Sequence, residues 1–301
     1  MDYFHMNQTD KKPNALFIHN AAVGDFIIAC RLIEFCNERL EQFRWSYLGK
    51  TSHGKLAKAL GLIADFDNFE VAGWHQLFAP DCRIADQIKK VMPRFDLIIN
   101  AVTGPNTIFA QNIKTLCPAG RIFHVDPKMP PDFKGHIFKY LASSLRIGPV
   151  NELPQTAFPV DPKLLQEIKP VSPDQPLIIF HPGASTPKKR WPIVNFISLA
   201  KKVKEKENQA IILLGQVELE QFKKEEINLL RSAGKLFINY PLEKLAAILT
   251  QAKQYIGNDN GISHLSAAVG TDTVVVFMQK NFQHWRPLGP KVQIMKSDSI
   301  S

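Results

Sequence analysis

The chain has 301 residues and a mass of 34.0 kDa, with 45% hydrophobic and 22% charged residues, which suits one large globular domain or two of ordinary size. No apolar run approaches the roughly 20 residues of a membrane helix, and the opening MDYFHMNQTDKKPN has no apolar core before its lysines, so no secretory leader is expected. A formal charge of +9 and a pI near 9.3 suggest an anionic partner (nucleic acid, anionic lipid or a phosphorylated substrate) or only a surplus of solvated lysines.

In chain order, NALFIHN is a short apolar run ending in polar residues and predicts a strand. AAVGD then reads as a turn and FIIACRLIEFCNERL as a helix, because Ile28, Leu32, Phe35, Cys36 and Leu40 fall near a 3.6 period. RWSYLGK predicts the next strand and GKLAKAL a short helix. The DFD at Asp65–Asp67 has the form of a sugar-transferase metal motif, but it is short and reads better as a turn entering a strand. FDLIIN and RIFHVD are further strands. Cys30, Cys36, Cys82 and Cys117 lie far apart without CxxC spacing, which predicts reduced thiols in a cytosolic protein and no zinc site.

From Gly148 to Pro176 the texture changes to seven prolines with little periodicity, apart from a short helix at PKLLQEI. This stretch reads as the connection between a first domain, 1–157, and a second, 158–301. A new alternation follows: PLIIFHP (strand), PIVNFISLAKKVKEK (helix), QAIILLG (strand), ELEQFKKEEINLLRSAG (helix), LFINY (strand), PLEKLAAILTQA (helix), QYIG (strand), ISHLSAAVG (helix) and TVVVFM (strand). Strands alternating with helices imply α/β architecture with parallel sheets: two doubly wound halves and a ligand cleft between them, beyond the carboxyl ends of the strands. KKVKEKE and FKKEEIN mix lysine with glutamate, as exposed helix faces do, so nucleic acid is not expected.

Four loops could carry chemistry. In GNDNG (257–261), two glycines permit a tight turn, and the N–H groups opening the next helix would attract phosphate; alternatively Asp259 or Asn260 merely caps that helix. His264 is either a ligand contact or a packed histidine. HPGASTPKKRWP offers the hydroxyls of Ser185 and Thr186 beside Lys188, Lys189 and Arg190, which suits a diphosphate or makes a basic surface turn. NAAVGD puts Gly24 and Asp25 at the mouth of the first helix, with Asp25 either a cap or a base. NAVTGPN places Asn100 at the same sheet edge, where it could touch an acceptor. No GxGxxG follows the first strand and no GxxxxGK[ST] or GxSxG occurs, which argues against dinucleotide oxidoreductases, P-loop NTPases and serine hydrolases.

Together, IHNAAVGDFIIACRLIEFC, FHPGASTPKKRWP, YIGNDNGISHLSAAVGTDTVVVF and the later HWRPLGP resemble, in order, the signatures of the lipopolysaccharide heptosyltransferases, glycosyltransferase family 9. The resemblance implies a GT-B fold of two Rossmann-like domains, acceptor-side first and donor-side second. It further implies an ADP-heptose donor, an anionic inner-core acceptor (Kdo or heptose), inversion at the anomeric carbon, and neither metal nor cofactor. It places the catalytic base on Asp25 and the phosphate-binding lysine on Lys189, with Ser185 ahead of it. Asp259, Asn260, Gly261 and His264 fall around the diphosphate and nucleoside, and Glu218, or in a shifted register Glu220, falls on the ribose. Asn260 departs from the family's threonine, and the family usually continues into helical sequence after QIMKSDSIS. The implied site of action is the cytoplasm, with peripheral contact to the inner membrane. The competing readings are another GT-B transferase or epimerase, and a non-catalytic binder of anionic ligands.

Overall fold

The computed structural model describes residues 12–71, 73–80, 84–167 and 175–296. The chain divides into two compact units between Leu153 and Pro154. Cys82 lies outside the described residues.

In the first unit the chain runs β1 (Asn14–His19), α1 (Val23–Arg39), β2 (Arg44–Gly49), α2 (Thr51–Ala59), β3 (Asp65–Asn68), α3 (Asp86–Val91), β4 (Leu97–Asn100), α4 (Ile108–Leu116), β5 (Arg121–His124) and α5 (Ile137–Ser144). The five strands form one parallel sheet in the order β3-β2-β1-β4-β5. β1 is central, and its residues from Ala15 to His19 are buried, which is why NALFIH is a continuous apolar run. Leu16, Ile18, Leu48, Ile98, Phe109 and Trp74 belong to one buried cluster.

In the second unit α6 (Pro162–Glu167) precedes β6 (Leu177–His181), α7 (Ile193–Glu205), β7 (Gln209–Leu214), α8 (Gln216–Gln221), α9 (Lys224–Ala233), β8 (Lys235–Ile238), α10 (Leu242–Gln251), β9 (Gln254–Asn258), α11 (Gly261–Ala268), β10 (Thr273–Phe277), α12 (Phe282–Trp285) and β11 (Val292–Lys296). Its parallel strands are ordered β11-β10-β9-β6-β7-β8. Numbered from β6, that is the doubly wound order of a nucleotide-binding Rossmann sheet. In both units the order reverses beside the first strand, between β1 and β4 and between β6 and β9. Right-handed crossovers then send the helices on the two sides of the reversal to opposite faces. Each unit is thus Rossmann-like, as the alternation of strands and helices predicts.

Several elements differ from the sequence reading. α1 begins at Val23, so Gly24 and Asp25 lie in its first turn rather than in a preceding loop. ELEQFKKEEINLLRSAG is two helices: Phe222 and Lys223 are extended, and Glu226 accepts from the Lys223 N–H at 2.8 Å to start α9. Asp65–Asn68 is itself the strand β3, and Asp67 accepts from the Trp74 indole N–H at 2.8 Å. The edge strand β11 is an addition, as are α3, α4, α5 and α12. Cys30, Cys36 and Cys117 are buried free thiols. No helix among the described residues is long and apolar enough to cross a membrane.

Candidate functional site

The second unit brings two sequence-distant loops together at its reversal point. One follows β6 and runs from Pro182 to Pro192; the other is the Asp259–Asn260 turn after β9. Asn258, fully buried, joins them. Its Nδ2 donates to the Pro182 carbonyl at 2.8 Å, and its Oδ1 accepts from the Trp191 N–H at 2.9 Å. Both ends of the first loop therefore hang on one amide. Ser263 Oγ donates to the Asn258 carbonyl at 2.6 Å and sits 3.1 Å from the Tyr255 hydroxyl, which fixes α11 to the strand that precedes it.

Asn260 caps α11. Its Oδ1 accepts from the Ile262 and Ser263 N–H groups at 2.9 and 3.1 Å, and its Nδ2 donates to the Gly183 carbonyl at 2.9 Å. The expectation that the N–H groups opening this helix are free needs correction, because an amide oxygen at 260 takes two of them. What this corner offers an anion is then the helix dipole and the cation beside it. That cation is Lys189, whose Nζ lies 2.7 Å from Asp259 Oδ2; their side chains are 25% and 8% exposed. The other two cations of the loop lie in other surroundings. Lys188 is exposed, and the Arg190 guanidinium sits 5.4 Å from the centre of the Phe222 ring. Ser185 and Thr186 stand exposed at the loop's tip, and His264 is buried in the first turn of α11.

The β7–α8 turn closes the floor. Glu218 is buried, and its Oε2 accepts from the Gly215 N–H at 2.7 Å and lies 3.6 Å from His181 Nε2. His181 Nδ1 is 3.2 Å from Asn260 Oδ1. Gly183 packs so closely on the Glu218 carboxylate that a Cβ there would overlap it. Burial alone would raise the Glu218 pKa, but the bonds from His181 and Gly215 hold it below the ordinary carboxylate value. Glu220 instead is exposed and accepts from its neighbour Gln216 at 2.8 Å, so Glu218 is the glutamate that faces these loops.

In the first unit the corresponding position is the loop after β1. Ala22 occupies the N-cap position of α1 without a side-chain bond, and Asp25, half-buried, lies in the first turn. Asp25 is therefore not the N-cap residue. The base of the loop is fixed by the Tyr47 hydroxyl, which donates to the His19 carbonyl at 2.8 Å, and by Lys50 Nζ, which donates to the Ala21 carbonyl at 2.9 Å. Phe26 stacks on His53 with ring centres 4.5 Å apart and tilts against His19 at 5.6 Å. Burial, with His53 and Lys50 nearby, holds His19 down at about 3; burial, with Lys50, holds His53 down at about 4. Asn100 ends β4. It is fully buried, with Nδ2 on the Thr103 carbonyl at 3.1 Å and on His124 Nδ1 at 3.0 Å, and Oδ1 on the Val102 N–H at 3.1 Å. It shapes the β4–α4 loop rather than presenting its amide.

Asn258 and His181 carry much of the construction and were not singled out from sequence. Their one visible signal is position, as the last polar residues of apolar strands. Among the described residues no group of three or more His, Cys, Asp or Glu side chains is arranged to hold a metal ion.

Two Rossmann-like units, with polar loops gathered at the reversal points of their sheets, are the architecture of the GT-B class of α/β proteins. The family model of glycosyltransferase family 9 (heptosyltransferase) matches residues 138–300. That is more than half of the chain, and the chain belongs to this family. A curated relative, lipopolysaccharide heptosyltransferase 2 of Salmonella typhimurium, is 26% identical over 132 residues, 42% of this chain and 38% of the relative. Lipooligosaccharide heptosyltransferase 2 of Haemophilus influenzae is 28% identical over 133 residues, 41% of this chain and 37% of the relative. The matched stretch thus spans less than two-fifths of each curated relative. Among solved structures, the ADP-heptose lipopolysaccharide heptosyltransferase II of E. coli superposes with a TM-score of 0.71 at 15% identity, covering 94% of this chain and 90% of that one. A family 9 glycosyl transferase from Veillonella parvula gives a TM-score of 0.72 at 15% identity, covering 97% and 89%. At such identities these likenesses establish the GT-B fold alone.

Proposed function

We propose that the protein is an inverting, metal-independent heptosyltransferase of lipopolysaccharide synthesis. It would move heptose from ADP-heptose to a Kdo or heptose hydroxyl of the inner core, in the cytoplasm and in peripheral contact with the inner membrane. The observation that carries this reading is the Lys189–Asp259 pair, set between the two family loops that Asn258 and Asn260 tie together.

In this reaction the acceptor oxygen attacks the anomeric carbon, the bond from that carbon to the diphosphate breaks, and the proton passes to a base. Asp25 is that base, presented from the first turn of α1. Gly24 lets the acceptor approach the backbone there. On the leaving side, charge builds on the diphosphate. Lys189 meets it as a point charge, the Ser185 and Thr186 hydroxyls donate to it, and the start of α11 at Asn260–Gly261 adds its dipole. These groups take the place that a divalent ion holds in other transferases. Asp259 keeps Lys189 aimed, His264 packs under the nucleoside, and Glu218 rather than Glu220 faces the ribose.

Purified protein given ADP-heptose and a defined inner-core acceptor should release ADP only when both are present, with a mass increase of one heptose on the acceptor. A panel of other nucleotide sugars run beside it tests the donor. Acceptor-dependent release with a different sugar would replace the donor assignment. Absence of release with every sugar would leave a binder and sink the enzymatic reading.

A further inference from the structure

Resting on the reading of the acceptor as a lipid-linked saccharide, we infer that the corner formed by Val71, Phe78 and Ile108 is the surface by which the first unit seats on a lipid bilayer. Among the described residues of this unit, the exposed large hydrophobic side chains are these three, at 43%, 46% and 40% exposure. Each belongs to, or is close in sequence to, one aromatic cluster. Phe78 stacks on Phe109 with ring centres 4.4 Å apart, and Phe69 lies 5.9 Å from Phe78 and 6.1 Å from Phe109. Ile108 is the residue before Phe109, and Val71 follows Phe69 by two. The second unit offers a contrast: Val194, Val217, Leu229, Ile238 and Met295 are single exposed residues on five different elements. Scattered singles are ordinary, whereas a gathered patch marks a contact.

The corner is held in shape. Asn112 Nδ2 donates to the carbonyls of Leu77 and Ala79 at 2.9 and 3.2 Å, and Trp74 Nε1 donates to Asp67. The Trp74–Phe78 turn is therefore clamped at both ends with Phe78 left outside. The patch also lies on the reaction edge of the sheet. Val71 comes just after β3 and Ile108 opens the helix after β4, and all strands are parallel, so these residues share the edge from which α1 and Asp25 start. Three side chains fall far short of the roughly 800 Å² per partner that a stable protein interface needs. Shallow insertion into the headgroup boundary needs less. Exposed Lys50 follows β2 at the same edge of the sheet, with its Nζ on the Ala21 carbonyl at 2.9 Å. Glu70 opposes it locally, but the net charge of +9 draws the chain toward an anionic leaflet.

The test is co-sedimentation with phosphatidylglycerol–phosphatidylcholine vesicles. Phe78→Ser and the double variant Val71→Ser/Ile108→Ser should each weaken partitioning about fivefold or more. Turnover on a delipidated, water-soluble core acceptor should stay unchanged, while turnover on the same acceptor carried in vesicles falls. Phe78→Trp, which keeps the stacking, should bind like the parent, and its new indole should be quenched by brominated acyl chains. Vesicle binding that is absent in the parent, or unchanged in both serine variants, overturns the inference. So does an indole in the Phe78→Trp variant that brominated lipid does not quench, or a parent dimer that the serine variants dissociate without effect on vesicles. If the parent transfers heptose to neither acceptor yet binds vesicles through these residues, the surface stands and the reaction assignment falls.

Discussion

Removing Lys189 tests the donor site most directly. Its Nζ is 2.7 Å from Asp259 Oδ2, and Asp259 is 8% exposed. A charge-assisted contact from the ammonium to the diphosphate contributes roughly 1.5–3 kcal/mol, so Lys189→Ala should weaken ADP binding about tenfold to a hundredfold. A second effect adds to it: without Lys189, the buried Asp259 carboxylate faces the incoming diphosphate unpaired. Lys189→Ala/Asp259→Asn should therefore recover several-fold of the affinity that Lys189→Ala loses, a coupling expected of side chains in contact. Lys188→Ala and Arg190→Ala should bind ADP within about twofold of the parent, because Lys188 is exposed and Arg190 lies over Phe222. Calorimetric titration of ADP into the five proteins measures all of this. Parent-like binding by Lys189→Ala, with loss in Lys188→Ala, would refute the register. No loss in any variant would refute this loop as the diphosphate site.

Asp25→Ala should lower turnover by about 10²–10⁴-fold with ADP affinity unchanged; normal turnover in a less stable protein would return Asp25 to a structural role in its helix. Activity should survive EDTA, and loss with rescue by Mg²⁺ or Mn²⁺ would reopen Asp65 and Asp67 as ligands. Gly183→Ala should push Glu218 out of its place against the loop and weaken nucleotide binding; an unaffected Kd would mean that Glu218 is a bystander. Acid should destabilise the first unit. His19 and His53 stay neutral when folded, at about 3 and about 4, but take up protons near 6.5 when unfolded. Their contribution is complete above pH 6.5 and is lost as pH falls toward 4, by about 1.4 kcal/mol per pH unit for each histidine. Urea midpoints between pH 7 and 4.5 would show it. His53→Asn should flatten the slope, and an unchanged slope would count against the assignment.

Most strands were legible because they are buried on both faces. LFI, LII, LIIF and AIILL are unbroken apolar runs, and a central parallel strand needs that composition. The strand β11 escaped because it is an edge, where VQIMK alternates with exposed Gln293 and Met295. The break between α8 and α9 was hidden because Phe222 continues the apolar rhythm while its backbone is extended. The site loops were legible as polar inserts after strands. Their internal wiring was not, because Asn258 meets Trp191 across 67 positions and Asn260 meets Gly183 across 77. The wiring of Asn100 was hidden for the complementary reason: nothing in the sequence shows that its own loop folds back on its amide.

That long-range wiring bears on when during folding the proposed donor site first exists. The central strand β6 finds its neighbour β9 only after β7, β8 and the intervening helices have been made, so the β6 loop has no scaffold until Asn258 arrives. A chain emerging from the ribosome, or a partly unfolded intermediate, would hold the Lys189 loop without the amide that hangs its two ends. Nucleotide should then bind only the completed unit, and its binding energy should appear as stability of the whole unit rather than of one loop. The role of the nucleotide in assembly would be that of an inspector, rewarding chains whose last central strand has docked.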